Sequence, residues 1–116
     1  MKDTHIPKRI KLHKNKKKLE VIFPDGKVFL LTSKYLRVFS PSAEVKGHGG
    51  GEGALVLGKE DVEITDIKPI GLYAIKLIFN DGHNTGIYTW QFIYELGINF
   101  EKNSKRYLER TRNIGR

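Results

Sequence analysis

The chain carries the same short turn twice, and this repeat constrains its fold more than any other feature. Phe23-Pro24-Asp25-Gly26 and Phe79-Asn80-Asp81-Gly82 lie 56 residues apart. Asp and Gly favour a tight hairpin turn, because both tolerate the backbone angles that such turns require. Alternating apolar residues flank each turn, which predicts strands on both sides. We therefore predict two copies of strand, strand, Asp-Gly turn, strand and helix.

In the second copy, Val62–Ile70 and Tyr73–Phe79 are predicted strands before the turn, and Thr85–Tyr88 is the predicted strand after it. Thr89 stands where a helix N-cap is expected, because apolar residues at helical spacing follow it. The helix that begins there extends to about Gly97.

The first copy has the same order of elements. Its predicted strands are Pro7–His13, Leu19–Phe23 and Lys27–Leu31. Thr32 or Ser33 can cap the helix that follows, and Ser33 aligns with Thr89 at the spacing of the two turns. Pro41 is expected to end this helix, because the residue before a proline disfavours helical geometry. Chance similarity between two unrelated hairpins is the alternative interpretation.

After the second copy, we predict a last helix over Phe100–Arg112, with apolar residues on one side. The tail, Asn113–Arg116, is predicted to fray. The expected fold class is α+β, a single small domain over residues 1–116 with a mostly antiparallel sheet. Residues 7–97 form its expected core, and residues 98–116 its C-terminal helix and tail.

The composition indicates the cellular compartment in which the chain is expected. Cysteine is absent, which excludes disulfides and cysteine catalysis and agrees with a reducing compartment. No apolar run approaches the roughly 20 residues of a membrane span. The N-terminus has no apolar stretch typical of a secretory signal. We therefore expect a cytoplasmic protein without membrane contact.

The formal charge is +8, and basic residues concentrate near both ends. Such clusters can contact nucleic acid or an acidic partner. The alternative is a solvated turn and a solvated helix face, because the run from Lys14 to Lys18 has no aromatic residue that could stack on a base.

The connector between the copies, Ser40–Gly53, holds five glycines within seven residues and predicts a mobile loop. Glu44 and His48 in this connector could meet Asp81 and His83 of the second turn. Two His and two carboxylates could bind iron or zinc, with His48 and His83 as the central ligands. The alternative is that all four are loop or turn residues in water. Four aromatic residues, Tyr88, Trp90, Phe92 and Tyr94, could line a pocket, although aromatic residues at helical spacing are more often core.

Three stretches carry a family resemblance: Leu36–Val45, Gly47-His48-Gly49, and Asp81–Trp90. They resemble the gamma-butyrobetaine hydroxylase-like N-terminal domain family, over about Pro7 to Leu96. The resemblance implies a small mixed α/β or α+β domain. Family members occur as small stand-alone bacterial proteins, as the N-terminal domain of gamma-butyrobetaine and trimethyllysine hydroxylases, and appended to P-loop iron–sulfur carrier proteins.

In the hydroxylases this domain holds zinc with three Cys and one His. The resemblance places the Cys positions at Ser40, Ser42 and Val45 and the His at His83. This chain keeps the histidine without the thiolates, and hydroxyls or a valine do not replace them. We therefore expect no structural zinc. The hydroxylase iron and 2-oxoglutarate site belongs to a separate catalytic domain, so hydroxylase activity is not expected here.

The resulting hypothesis is a non-catalytic binding or accessory domain with a protein partner, linked to iron–sulfur protein assembly. The alternatives are metal binding through His48 and His83, and nucleic-acid binding through the basic ends. The candidate binding residues are Arg37, Ser40, Ser42, Glu44, His48, Asp81, His83 and Trp90.

Overall fold

Two three-stranded antiparallel sheets form the framework of the fold. A computed structural model describes residues 6–41 and 56–115, with side chains as far as Arg112. The first sheet has the order β1-β2-β3, and its strands are β1 (Arg9–Leu12), β2 (Lys18–Ile22) and β3 (Val28–Thr32). The second has the order β4-β5-β6, and its strands are β4 (Ile64–Ile70), β5 (Ala74–Phe79) and β6 (Ile87–Thr89).

Three helices complete the described elements. They are α1 (Ser33–Val38), which follows β3, α2 (Trp90–Ile98), which follows β6, and the C-terminal helix α3 (Phe100–Gly115). The predicted α+β class and the two strand–strand–turn–strand–helix units are thus confirmed. No helix in residues 6–41 or 56–115 is long and apolar enough to cross a bilayer.

The two Asp-Gly turns share one backbone geometry. Gly26 and Gly82 have φ angles of 95° and 93°, a region that glycine adopts without the steric cost of a Cβ. The Phe23 N–H donates to the Lys27 carbonyl at 2.9 Å, and the Phe79 N–H donates to the His83 carbonyl at 3.0 Å. The repeat seen in the sequence is therefore a structural repeat.

The helix caps correct one detail of the sequence alignment. Thr32, not Ser33, caps α1 and accepts a hydrogen bond from the Tyr35 N–H, as Thr89 accepts one from the Phe92 N–H. The caps are 57 residues apart, whereas the turns are 56 apart. The return from the second turn to its helix is therefore one residue longer.

Some predicted boundaries were wrong. β6 begins at Ile87, not at Thr85, and β4 begins at Ile64, not at Val62. The helical backbone of α3 continues to Gly115, past the predicted end at Arg112 and into the segment predicted to fray.

The core lies between the sheets and the helices. It takes alternate residues of β2 and β5 together with residues of α1 and α2, including Leu19, Val21, Phe23, Leu36, Leu77, Phe79, Tyr88, Ile93 and Leu96. Trp90, Phe92 and Tyr94 pack against it. The alternation along the strands explains this arrangement, because every second side chain faces the helices.

Candidate functional site

The second Asp-Gly turn is where α1 meets the segment that precedes β4. Asp81 Oδ2 accepts a hydrogen bond from Arg37 Nε of α1 at 2.8 Å and contacts Lys59 Nζ at 2.7 Å. Its other oxygen accepts from the His83 backbone N–H at 3.0 Å. The Asp81 backbone is exposed on the turn, but only 19% of its side-chain surface is accessible. One carboxylate thus ties together segments on both sides of the connector.

The electrostatic surroundings favour the charged form of Asp81. Partial burial by itself would raise the pKa of this carboxyl group. Hydrogen bonds from Lys59, from the His83 backbone and from Arg37 outweigh burial and hold the pKa of Asp81 well below its usual range. The carboxylate is therefore ionised at neutral pH and suits a structural anchor better than a general acid or base.

A buried chain of polar groups runs inward beside this anchor. Ser40 Oγ and His83 Nε2 are 2.9 Å apart, and the two residues are 1% and 6% exposed. Ser40 also hydrogen-bonds the Tyr88 hydroxyl, which donates to the Leu36 carbonyl at 2.5 Å. Burial raises the pKa of Tyr88 far above its usual value, despite opposing contributions from Ser40 and the Arg37 charge. Tyr88 therefore stays protonated and acts as a hydrogen-bond donor.

Gly86 makes room for this chain. A Cβ added to Gly86 would lie 2.5 Å from Ser40 Oγ and 3.1 Å from a ring carbon of Tyr88. Only a residue without a side chain fits between these two groups in their present positions. Gly86 thus determines how closely Ser40 approaches the second sheet.

One donor in the site lacks an acceptor. Arg37 Nη1 is buried and has no hydrogen-bond partner among the described residues. A buried donor without an acceptor costs about 1–3 kcal/mol. Among the described residues, Arg37 and Lys59 face one carboxylate, so this part of the site has two cations for one anion and an unused donor.

The structure brings together four of the eight predicted binding residues. Arg37, Ser40, Asp81 and His83 lie at this turn, whereas Ser42, Glu44 and His48 lie outside the described residues. Trp90 lies at the other end of the β5–β6 pair, beside Ala74, and its Nε1 donates to the Leu72 carbonyl at 2.8 Å. Ser40 and Lys59, which lie on either side of the residues that the structure leaves undescribed, are therefore both beside the second turn, but Trp90 does not share that surface.

Three residues of the site were not among the predicted binding residues. Lys59 lies beyond the connector, and no local pattern links it to a turn more than twenty residues later. Tyr88 belongs to a β-strand, and its sequence context favoured a core position. Gly86 did carry a signal, since a glycine next to a strand often marks a close approach of two chain segments.

The contacts around Ser40 and His83 do not fit a Cys3His zinc centre. Their polar atoms are hydrogen-bonded, and Asp81 is paired with two cations. Within residues 6–41 and 56–115, no three His, Cys, Asp or Glu side chains gather where they could hold a metal ion. Metal binding through His48 and His83 stays a prediction, because His48 lies outside these ranges.

A second concave region lies between α1 and α3. This groove of about 230 Å³ is lined by Thr32, Lys34, Tyr35, Val38, Phe39, Phe100, Ser104, Tyr107 and Leu108. Its tyrosine hydroxyls already donate, Tyr35 to the Leu96 carbonyl and Tyr107 to the Val56 carbonyl, both at 2.6 Å. Those hydroxyls therefore serve packing, and the groove shows no convergence of groups suited to catalysis.

The fold and site define a small α+β domain with a hydrogen-bonded cluster at one turn. No curated protein matches the chain. Residues 10–94 match the family described as gamma-butyrobetaine hydroxylase-like, N-terminal, and the chain belongs to this family. The resemblance noted in the sequence is therefore confirmed.

Solved structures agree with this assignment. A protein of unknown function from Acidithiobacillus ferrooxidans, of the DUF971 family, is 36% identical with a TM-score of 0.68. The match covers 83% of this chain and 98% of that one. Two proteins with NMR solution structures are 38% and 42% identical, with TM-scores of 0.83 and 0.79. Each match covers 98% of this chain, and 90% and 86% of those chains respectively.

Proposed function

We propose that this chain is a non-catalytic accessory domain that binds another protein through the turn cluster. We define the turn cluster as Arg37, Ser40, Lys59, Asp81 and His83. The observation that carries the proposal is the charge balance at this turn, where, among the described residues, Arg37 and Lys59 face the single carboxylate of Asp81 and Arg37 Nη1 has no acceptor. A carboxylate from a partner would balance that charge, and a local shift that exposes the buried Arg37 Nη1 would let it provide the missing acceptor.

The Ser40 hydroxyl and the His83 imidazole are buried and hydrogen-bonded to each other, which supports a binding role over catalysis. Ser40 is hydrogen-bonded to His83, and a serine–histidine pair can serve nucleophilic catalysis only when the hydroxyl faces a substrate. Here the Ser40 side chain is buried against Gly86 and Tyr88. The family match is to the N-terminal domain of the hydroxylases, which supports the same interpretation.

We further propose that the partner belongs to iron–sulfur protein assembly. The support is the family resemblance, in which members of this domain are appended to P-loop iron–sulfur carriers. A domain that is fused to a carrier in one chain can act on a separate carrier in another. The partner is then expected to be a carrier or a protein that receives a cluster from it.

The test is affinity purification of the tagged chain from its native host after chemical cross-linking. We expect a reproducible partner with the wild-type chain and a loss of most of it with Arg37→Gln, which removes the charge. Arg112→Gln, at an exposed position of α3, is the matched control and should keep the partner. Thermal melts of all three proteins establish that they are folded.

The outcomes distinguish the binding role of the turn cluster from the assignment of the partner to iron–sulfur protein assembly. Absence of a reproducible partner, or equal recovery with Arg37→Gln and wild type, overturns the binding role of the turn cluster. A partner that depends on Arg37 but has no connection with iron–sulfur proteins overturns only the assignment to cluster assembly.

A further inference from the structure

The four outer strands of the two sheets differ in how they are protected against pairing. An exposed strand edge offers unpaired main-chain groups, and natural proteins protect such edges with charges, prolines, bulges or short strands. β1 carries Arg9 and Lys11, β4 contains Pro69 and an irregular register after Ile64, and β6 has only three residues. β3 has five residues, Val28–Thr32, and none of these features.

The hydrogen-bond pattern shows which groups of β3 face outward. Phe23 pairs with Lys27, and Ser33 donates to Lys17, so these mark hydrogen-bonded pairs at the two ends of the β2–β3 ladder. Hydrogen-bonded and non-hydrogen-bonded pairs alternate in antiparallel sheets. The main-chain groups of Val28 and Leu30 therefore point away from β2. Neither residue takes part in another backbone hydrogen bond within the described chain.

The side chains of the same two residues are also uncovered. Val28 is 57% and Leu30 is 50% exposed, on the face of the sheet opposite to the core. Ile22 lies directly across from Val28 on that face and is partly exposed. Two unpaired main-chain positions and an apolar strip thus coincide at one edge.

Charge selects among the molecules that could pair with this edge. The outer face of the first sheet carries three cations, Arg9, Lys11 and Lys18, and one carboxylate, Glu20, which lies across from Leu30. The chain as a whole carries a formal charge of +8, so two copies would repel each other. An acidic segment with apolar residues at alternate positions matches both the charge and the strip.

We propose that β3 accepts an extended acidic segment of a partner protein as a fourth strand of the first sheet. Main-chain hydrogen bonds to Val28 and Leu30 provide the pairing, and apolar residues of the segment pack on their side chains. This inference goes beyond the proposed function, because it uses the outer edge of the first sheet and none of the residues in the turn cluster.

Amide hydrogen exchange tests the free edge first. In the isolated protein, the amides of Val28 and Leu30 should exchange fast, while those of Phe29 and Leu31, which face β2, should be protected. Equal protection of all four amides at low protein concentration would overturn the proposal. Protection that appears only at high concentration would show that a second copy occupies the edge, which also overturns it.

The second test uses a synthetic peptide of about ten alternating valine and glutamate residues, long enough to span the strand. Titration followed by NMR should shift the amides of residues 28–32 and slow exchange at Val28 and Leu30. A peptide of alternating valine and lysine is the charge control. Equal binding of both peptides, no binding at millimolar concentration, or shifts confined to other elements would overturn the proposal.

Matched leucine variants complete the design. Leu30→Lys should lower the affinity for the acidic peptide by about tenfold or more, because a charge on the strand edge opposes apolar pairing. Leu108→Lys is the control, since Leu108 is 57% exposed on α3 and should leave binding unchanged. Val28→Lys is a second edge variant with the same expectation as Leu30→Lys. Unchanged affinity in both folded edge variants contradicts the proposal.

Discussion

The two halves of this domain share their backbone and differ in the side chains that hold their turns. Asp25 and Asp81 each accept a hydrogen bond at 3.0 Å from the backbone N–H two residues later. Each turn is then held by the helix of the other half. Tyr94 of α2 donates to Asp25 at 2.6 Å, and Arg37 of α1 donates to Asp81 at 2.8 Å. Tyr94 and Arg37 each lie five residues after their caps, so they are equivalent positions.

Two close contacts across the halves are equivalent in the same way. Ser40, two residues past the end of α1, and Gly97 of α2 both lie eight residues after their caps. Ser40 meets Gly86, just before β6, and Gly97 meets Phe29 of β3, and both of these positions lie three residues before a cap. In one half a serine faces a glycine, and in the other a glycine faces a phenylalanine. At each crossing, a different one of the two chain segments thus carries the larger side chain.

This comparison shows how the turn cluster differs from the first turn. The first turn is closed by a neutral phenol and an aromatic contact of Phe23, Phe29 and Tyr94. At the equivalent positions of the second half, Arg37 stands in place of Tyr94, Gly86 in place of Phe29 and Ser40 in place of Gly97. The loss of the Phe29 ring at this crossing leaves room for polar atoms, including those of His83. A repeated scaffold therefore carries packing in one half and a polar site in the other.

The largest effect is expected from filling the two glycine positions. Gly97→Ala should lower the free energy of unfolding by about 2–3 kcal/mol, because its Cβ would lie 2.5–2.6 Å from three atoms of the Phe29 ring. Gly86→Ala should cost about 1–2 kcal/mol, because Ser40 Oγ can rotate away at the cost of its hydrogen bonds. Urea unfolding measures both.

A rescue variant sharpens this prediction. Gly86→Ala combined with Ser40→Gly should cost less than the sum of the two single changes, because the clash and the lost hydrogen bonds involve the same oxygen. Additive costs, or a milder effect of Gly97→Ala than of Gly86→Ala, would contradict the equivalence of the two crossings.

The next effect concerns the polar chain that the first half lacks. Ser40→Ala should destabilise the protein by about 1–2 kcal/mol, because His83 and Tyr88 lose a buried hydrogen-bond partner. Ser104→Ala, on α3, should change stability by no more than about 0.5 kcal/mol. A neutral result for Ser40→Ala would mean that solvent or another group replaces the hydroxyl without cost.

A smaller effect is expected at Asp81, and it depends on pH. Its pKa is lowered in the folded state, so its contribution is complete above the ordinary carboxyl pKa and is lost as the pH falls below that value. At pH 7, Asp81→Asn should cost about 1 kcal/mol, reduced by solvent screening of a partly accessible pair. The difference from wild type should shrink between about pH 4 and pH 2.

Asp61→Asn is the control for this series. The Asp61 side chain is 97% exposed and lies 3.5 Å from Lys17, so its removal should have little effect at any pH. Urea unfolding of the three proteins at several pH values gives the comparison. A difference between Asp81→Asn and wild type that stays constant down to pH 2 would show that the carboxylate charge is not the source of the stability.

The repeat explains how much of this structure the sequence predicts. The Asp-Gly turns, the alternating strands and the Thr89 cap depend on local chemistry, so the two units and the α+β class could be predicted. The site depends on long-range contacts. Arg37 meets Asp81 only because α1 packs across the halves, and Lys59 meets the same carboxylate from the loop before β4. No local pattern in the sequence encodes either contact.

The smallest effect is expected from added metal. It is also the sharpest test of the comparison between the two turns, because a metal at the second turn would have no counterpart at the first. Zinc sites of the Cys3His type need thiolates, whereas Ser40 offers a neutral hydroxyl that is already hydrogen-bonded. We therefore expect the melting temperature to be the same in EDTA and in stoichiometric Zn²⁺. We also expect the His83 imidazole signals to stay in place during Zn²⁺ and Fe²⁺ titrations.

Movement of the His48 and His83 signals together, with a rise in melting temperature, would instead establish the metal-binding alternative. His83→Asn is the matched variant for that outcome, because it removes the imidazole and keeps a polar group that can contact Ser40. If His83→Asn abolishes the response to metal and Asp61→Asn does not, His83 is a ligand. The Ser40–His83 hydrogen bond would then be the metal-free state of a site that only the second half possesses.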